Sequence, residues 1–321
     1  MIAFLVQVLG VALATGLGVS GTWPLVVVAA RRWPAGRRAD ALVVAGALPL
    51  VATAGLALAL VVPTALDMSG LSPDHCFAHD HGLHLCGVHG APHLPLLLLG
   101  AVLLPLIAGR AFMVLLRLRR ASIDLRRLEA LGVRRGGLVE VPGNAPLCHA
   151  TGVLRPRVFL SSGLRAWLGA PAVEAALAHE RAHLRRGDPA ALAFLQVASV
   201  FCLPGTCLPG SGLAESFRSA AEEAADAEAA AEVGELAVAD ALVRVARFTL
   251  GGPRPDAVAA MGFGSHPLQR RVALLLAGPV TPGKARGLAL SGILAVSAIL
   301  LGVVGAAPIH HFIEDILLAR H

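Results

Sequence analysis

Charged residues are scarce in this chain of 321 residues. Only 15% of the residues are Asp, Glu, Lys or Arg, 56% are hydrophobic, and the mean hydropathy is +0.71. A soluble globular domain carries about 25% charged residues and a smaller apolar fraction. The low charge therefore excludes an ordinary soluble domain and predicts a membrane protein.

Aromatic residues and lysine are also few. The chain has no tyrosine, three tryptophans and ten phenylalanines, and its net charge of +6 comes from 26 arginines and a single lysine. A basic balance can indicate a nucleic-acid surface, but proteins that bind single strands stack the bases on aromatic side chains. The arginines instead flank apolar runs, so we expect the partner to be the lipid bilayer and no direct nucleic acid binding.

Four apolar runs are long enough to cross a bilayer, which takes roughly 20 helical residues. They cover residues 3–30, 41–63, 94–116 and 287–307. The first run has no basic segment before it and is followed by RRWPAGRR, a stop-transfer pattern. We therefore interpret it as a retained membrane span and not as a signal peptide.

The positions of the basic residues predict the orientation of these spans. Four arginines lie in residues 31–38, none lies in residues 67–93, and residues 117–286 hold nearly all the others. Because Lys and Arg favour the cytoplasmic side, we expect both termini outside the cytoplasmic membrane and the block 117–286 inside the cell. A fifth apolar run, 189–210, would break this rule if it crossed. Pro and Gly also interrupt it, so we expect it to be membrane-associated but not spanning.

The block 117–286 mixes helical and strand patterns. A basic helix is expected to leave the third span, short β-type runs occur at Leu138–Val141 and Arg157–Leu160, and a helix from Pro171 stops at Asp188 and Pro189. The predicted fold is a mainly α membrane protein with four transmembrane helices and a cytoplasmic α+β domain that contains a small β-sheet. The predicted regions are residues 1–63 with two spans and a basic loop, an outer loop at 64–93, the third span at 94–116, the domain at 117–286, the fourth span at 287–307 and an outer tail at 308–321.

Two histidines stand four residues apart in the stretch ALAHERAHLRRGDP, residues 176–189. On a helix this spacing puts His179 and His183 on one face, where both imidazoles can bind a single ion. Glu180 lies one residue on, within reach of a water at that ion. Zinc suits two neutral nitrogens and one carboxylate, because the fourth tetrahedral position stays open for a water whose pKa falls toward about 7. The motif predicts one catalytic Zn²⁺, with Glu180 as the general base.

The third protein ligand has to come from elsewhere in the chain. The stretch ESFRSAAEEAADAEAAAEV, residues 215–233, is rich in alanine and glutamate and predicts a helix. Glu222 and Asp226 stand four residues apart, so one carboxylate can bind zinc while the other accepts the second N–H of a ligand histidine. Spacing alone leaves Glu223 as an alternative to Glu222, and a solvated acidic face is the plain alternative to both.

HERAH and the later EEAAD, an E-x-x-A-D pattern, resemble the membrane-bound gluzincin zinc metallopeptidases, which include the HtpX-like and CAAX-endopeptidase group and the BlaR-type antirepressor sensors. The resemblance covers about residues 138–275. It implies a zincin-like domain in which Glu222 is the third zinc ligand beside the two histidines and Asp226 supports them. The stretch NAPLCHATGVLRPRVFLSSGL resembles the strand region of this family, which implies an edge strand that pairs with an extended substrate.

The stretch SHPLQRRV is similar to the HP…R segment of the same family, although its spacing is one residue shorter. The resemblance implies that His266 or Arg271 stabilises the transition state. A capped, solvated histidine is the alternative for His266.

These patterns together predict an integral-membrane zinc endopeptidase that acts on a protein or peptide substrate. The resemblance leaves two roles open: a sensor that cleaves a cytoplasmic repressor, such as a winged-helix repressor, and a quality-control peptidase for membrane proteins. The substantial outer loop favours the sensor. A protein of another class, a non-catalytic metal-binding membrane receptor, would use HERAH only as a structural site.

The outer loop is rich in histidine and contains two cysteines. Its histidines are His75, His79, His81, His84, His89 and His93. Dense histidine tracts bind zinc or copper, which predicts metal sensing outside the cell. Cys76 and Cys86 stand ten residues apart and can form a disulfide outside the cytoplasm, so a disulfide with incidental histidines is the alternative.

Overall fold

The computed structural model describes residues 1–71, 93–203, 212–251, 268–278 and 285–306, together with residues 309 and 312. Most of this chain is helical: the described residues form eleven α-helices and one sheet of four strands. The prediction of a mainly α protein with a small sheet is therefore confirmed.

Four apolar helical segments of the described chain are long enough to cross a membrane, as predicted. They are Ile2–Ala30, Ala35–Leu66, Leu94–Leu131 and Gly287–Val304, with mean hydropathies of 2.2 to 2.4. The first consists of α1 (Ile2–Ser20) and α2 (Trp23–Ala30). It is interrupted because the ring of Pro24 clashes with the carbonyl four residues before it, at Ser20, where α1 ends. The others lie in α3 (Ala35–Met68), α4 (Leu94–Leu131) and α11 (Gly287–Val304).

Glycines let these helices pack closely. A Cβ added at Gly10 of α1 would lie 2.7 Å from the Cα of Gly100 in α4, and one at Gly302 of α11 would lie 2.7 Å from the carbonyl oxygen of Gly55 in α3. Small residues at such crossings allow backbones to approach in a membrane, where lipid supplies no hydrophobic drive for association. Helix α1 thus packs closely against α4, and α11 packs closely against α3.

Helix α4 is longer than a bilayer is thick. Its 38 residues extend about 57 Å, whereas the hydrocarbon core is about 30 Å thick. Arg119 and Arg120 are exposed on the part that projects. The expected basic helix after the third span is therefore a continuation of the span itself.

The fifth apolar run forms a short helix inside the bundle. Helix α7 (Asp188–Ala198, 11 residues) continues into a 3-10 turn (Ser199–Phe201, 3 residues). At about 1.5 to 2.0 Å per residue this segment is shorter than the hydrocarbon core. It lies against α3, where a Cβ added at Gly46 would overlap Cδ2 of Leu195. The helical part of the run that the structure describes is thus shorter than a membrane span, and its position relative to the bilayer stays a prediction.

The strands form a mixed sheet in the order β1-β2-β4-β3. They are β1 (Val133–Arg135), β2 (Leu138–Val141), β3 (Cys148–Thr151) and β4 (Arg157–Ser161). Strand β2 pairs with β4 in parallel, and β3 pairs antiparallel with β4, with Ala150 opposite Val158. Within the described chain β3 has one sheet neighbour, so it is an edge strand whose other side pairs with no strand.

Five helices complete the part of the chain that carries the histidine motif. They are α5 (Ser162–Leu168), α6 (Ala170–Arg186), α8 (Gly212–Val233), α9 (Glu235–Gly251) and α10 (Leu268–Leu276). Helix α6 packs against β3, β4, α8 and α9. It ends at Gly187, whose φ of 71° is left-handed and suits glycine. Asp188 and Pro189 then begin α7, so the predicted stop of the motif helix is confirmed.

Candidate metal centre

Helix α6 brings the two motif histidines together on one face, as the spacing predicts. The Nε2 atoms of His179 and His183 are 3.1 Å apart, and their rings stand nearly perpendicular at 86°. His179 is 1% exposed, and its neighbour Glu180 is equally buried. The helix thus presents two imidazole nitrogens to one point beneath the surface.

Helix α8 brings a carboxylate to the same point. Oε2 of Glu222 lies 3.4 Å from Nε2 of His179, and Oε1 lies 3.5 Å from Nε2 of His183. The side chain of Glu223 points elsewhere and binds Arg38 of α3 and Arg270 of α10. Of the two glutamates that spacing left open, Glu222 is the one that meets the histidines.

The three groups fit a tetrahedral zinc ion. Each offers one ligand atom, these atoms lie within 4.8 Å of one another, and all three residues are buried. Zinc binds nitrogen and oxygen at about 2.0 to 2.2 Å, which places two ligands of a tetrahedron about 3.3 to 3.5 Å apart. The observed separations of 3.1, 3.4 and 3.5 Å are close to that value. Two imidazoles and one carboxylate leave a fourth position open.

A second carboxylate lies behind each histidine. Oδ1 of Asp226 is 2.9 Å from Nδ1 of His179, the contact that the sequence predicts. Oδ2 of Asp188 is 2.8 Å from Nδ1 of His183, whereas the sequence pattern predicts this aspartate only as the end of the motif helix. Such contacts fix the orientation of the ring and direct Nε2 toward the site of the metal. The missed signal was a carboxylate just after the glycine that ends the motif helix.

Arg271 lies behind the carboxylates. Its side chain is 2% exposed, its Nε and Nη2 each donate to Asp226 at 2.7 Å, and its Nη1 is 2.8 Å from Oε2 of Glu222. This geometry makes it a positioning residue for both carboxylates. A role in stabilising the transition state stays a prediction, and the same role for His266 falls outside the described residues.

The acidic partners raise the pKa of the histidines. Burial lowers the pKa of His183, but hydrogen bonds to Asp188 and Glu222 outweigh it and hold the pKa well above the ordinary value. Burial also lowers the pKa of His179, and hydrogen bonds to Asp226 and Glu222 again outweigh it. The acidic partners therefore favour protonation, and an incoming metal ion must displace any proton from the Nε2 atoms that bind it.

The arginine lowers the pKa of the carboxyl groups. Burial raises the pKa of Glu222, but the charge of Arg271 and hydrogen bonds from the two histidines bring it well below the ordinary value. Burial likewise raises the pKa of Asp226, but the charge and hydrogen bonds of the same arginine, together with the contact to His179, bring it below the ordinary value. Both carboxylates are thus ionised at neutral pH, the form that binds a metal or an N–H.

Glu180 lies between the histidine helix and the edge strand. Its Oε2 accepts a hydrogen bond of 2.6 Å from the backbone N–H of Ala150 in β3. The preceding residue on this strand, His149, is half-buried. Burial lowers the pKa of His149, and the charge of Glu180 opposes that effect. The predicted general base and the predicted substrate edge are therefore in direct contact.

The predicted outer-loop site lies almost wholly outside the described residues. This holds for His75, His79, His81, His84, His89, Cys76 and Cys86. His93 is described: it precedes α4, and its carbonyl oxygen accepts a hydrogen bond of 3.1 Å from Gln7 of α1. Metal sensing and the disulfide stay predictions.

No protein-family model, no curated protein and no solved structure matches this chain. The interpretation of the metal centre therefore depends on its own residues and distances.

Proposed function

We propose that this protein is a zinc-dependent endopeptidase of the cytoplasmic membrane. The observation that carries the proposal is the convergence of His179, His183 and Glu222 on one point, with carboxylates behind both imidazoles. A structural zinc site more often has four protein ligands. Three ligands with a buried glutamate alongside are the arrangement of a hydrolytic site.

Zinc at this site would lower the pKa of a water molecule and polarise the scissile carbonyl. His179, His183 and Glu222 would hold the ion. Glu180 accepts the proton of the attacking water and delivers it to the leaving amine. Arg271 keeps Glu222 ionised and in place.

The edge strand supplies the means to bind a peptide. Residues 148–151 pair on one side with β4, and the backbone N–H of Ala150 points to Glu180 on the other side. An extended peptide that adds to this edge would receive backbone hydrogen bonds without a specific sequence. Its scissile bond would then lie beside the general base and the metal ligands.

The basic residues support a cytoplasmic position for this site. Arg31, Arg32, Arg37 and Arg38 lie between the first two spans, and the block 117–286 is rich in arginine. A peptidase in the cytoplasm that is joined to an outer histidine-rich loop suits a sensor that cleaves a repressor. A neighbouring gene for a small winged-helix repressor would favour this role over quality control of membrane proteins.

Substitution of the general base Glu180 distinguishes a peptidase from a non-catalytic metal-binding receptor. Glu180→Gln should keep zinc and lose cleavage of a denatured casein probe, because the amide cannot accept the proton. Glu174→Gln is the matched control, since Glu174 lies on the same helix and its side chain is 59% exposed. Zinc content is measured by metal analysis of the purified protein and cleavage by gel. A Glu180→Gln variant that cleaves like the wild type would refute the proposed mechanism.

A further inference from the structure

Arg110 is the one ionisable residue within the four predicted spans. It lies 16 residues into α4, about 24 Å from the outer end of that helix. A charged side chain within a bilayer is costly and is found where it serves a specific contact. The described contacts of its guanidinium show what it binds.

Arg110 binds the end of the short helix that enters the bundle. Its Nη1 donates to the carbonyl oxygen of Cys202 at 2.5 Å, and its Nη2 donates to the carbonyl oxygen of Ser199. The backbone N–H of Leu203 donates to Oγ of Ser20 in α1 at 2.8 Å. These hydrogen bonds connect the C-terminal end of α7 and its 3-10 turn to two membrane helices, α4 and α1.

The opposite end of the same helix touches the metal centre. Asp188 is the first residue of α7, and its Oδ2 is 2.8 Å from Nδ1 of His183. The same carboxylate accepts a hydrogen bond of 3.2 Å from Nε of Arg186. A continuous helix transmits displacement along its axis because its hydrogen-bonded backbone is stiff. Any shift at the anchored end therefore moves Asp188 relative to His183.

We propose that Arg110 is a positioning residue of the metal site and acts through helix α7 and Asp188 on His183. The proposal rests on the zinc site of the proposed function. Loss of the Arg110 contacts lets α7 shift in the bundle, so Asp188 holds the His183 ring less firmly. The histidine then binds zinc more weakly and in a less uniform geometry.

The test measures zinc binding by the full-length protein in nanodiscs. Affinity is obtained by competition with a chromophoric chelator, and geometry from the visible absorption of the Co²⁺-loaded protein. Asp188→Asn should lower zinc affinity by about 10- to 100-fold, the usual effect of losing such a partner. Arg110→Met should lower it by roughly 2- to 30-fold, the range expected for coupling through a packed element, and should alter the Co²⁺ spectrum.

The matched control is Arg117→Met, an exposed arginine two turns further along the same helix. It should leave both measurements unchanged. Arg110→Lys keeps one charged donor and should recover part of the affinity, and Ser20→Ala should give a smaller loss in the same direction. These two milder variants decide the question if Arg110→Met does not fold.

The double variant Arg110→Met/Asp188→Asn separates positioning from general destabilisation. If Arg110 acts through Asp188, the double variant binds zinc no more weakly than Asp188→Asn alone. Losses that add, or an Arg110→Met variant that matches Arg117→Met, would overturn the proposal. Wild-type protein that binds zinc but cleaves nothing contradicts only the peptidase function, whereas wild-type protein that binds no zinc contradicts both.

Discussion

At the scale of single residues, helical spacing predicts the contact of only one of the two carboxylates that lie behind the histidines. Asp226 stands four residues after Glu222 on one helix, so spacing predicts its place beside the ligand. Asp188 reaches His183 because Gly187 turns the chain in a left-handed conformation and begins a new helix. The sequence shows that an aspartate follows the motif helix, but it does not predict that the turn at Gly187 brings this carboxylate to the imidazole.

The protonation of the two histidines predicts how zinc affinity depends on pH. His179 and His183 have raised pKa values in the metal-free site. A raised pKa stabilises the folded metal-free protein below the unfolded value of about 6.5, and that contribution is lost as pH rises through the folded value. Because zinc binds neutral imidazole, its affinity should rise with pH below these raised pKa values, by about tenfold per pH unit for each displaced proton, and should level off above them.

Chelator competition between pH 6 and 9 measures this dependence. In Asp188→Asn the His183 ring loses a partner that raises its pKa, so the affinity should reach its plateau at lower pH. A zinc affinity that is constant over this range would contradict the assignment of both imidazoles as ligands.

At the scale of elements, alanine lets the two ligand-bearing helices approach. Ala175 and Ala178 of α6 and Ala229 of α8 are fully buried in one hydrophobic cluster. The distance between packed helices depends on the side chains at their contact. Small side chains at this contact bring Glu222 within 3.5 Å of both histidines.

Arg271 joins helix α10 to this pair and should be important for stability. Arg271→Met leaves Asp226 and Glu222 buried without their cation, and breaking a buried ion pair in this way costs about 3 to 5 kcal/mol. Zinc should restore part of the loss, because the ion compensates the charge of Glu222. The measurement is the free energy of unfolding in detergent, with and without zinc.

Arg270→Met is the control on the same helix. Its side chain is 57% exposed, and its buried partner Glu223 keeps a second arginine, Arg38, so the loss should be smaller than that for Arg271. If both substitutions lower the free energy of unfolding equally, the buried ion pairs of Arg271 with Asp226 and Glu222 contribute no more than the pair of Arg270, and the prediction is wrong.

At the scale of the whole molecule, membrane helices and metal centre share contacts. Helix α3 contributes Arg38, whose Nη2 lies 2.5 Å from Oε2 of Glu223, next to the ligand Glu222. Leu42 of α3 packs in one cluster with Leu195 of α7 and Phe217 of α8. The helices that carry the metal ligands and their partners therefore contact the membrane helix α3 directly. A displacement of α3 would change the positions of α7 and α8.

The distribution of arginine predicts which side of the membrane carries the site. In a cysteine-free background, a cysteine at Val153 should be protected from a membrane-impermeant maleimide in intact cells, whereas one at Met68 should react. Both positions are exposed in the fold, so permeabilised cells should label both and serve as the control. Labelling of Val153→Cys in intact cells would place the metal centre outside and exclude a cytoplasmic substrate.

Much of this architecture follows from local patterns. Long apolar runs predict the four spans, the spacing of His179 and His183 predicts their shared face, and the short runs at β2 and β4 predict the sheet. The pairing of β3 at the edge of the sheet, and its contact with Glu180, were not predictable from spacing. They depend on how α6 lies across the strands, which no local periodicity encodes.

Local patterns in the sequence are enough to predict four apolar helices long enough to span a membrane and two imidazoles on one helical face, because hydropathy and helical period act over neighbouring residues. The tertiary structure brings Glu222 and not Glu223 to the histidines, places Asp188 and Arg271 behind the ligands, and joins α7 to Arg110. Those contacts join residues from different helices, and their distances are set by how the helices pack against one another.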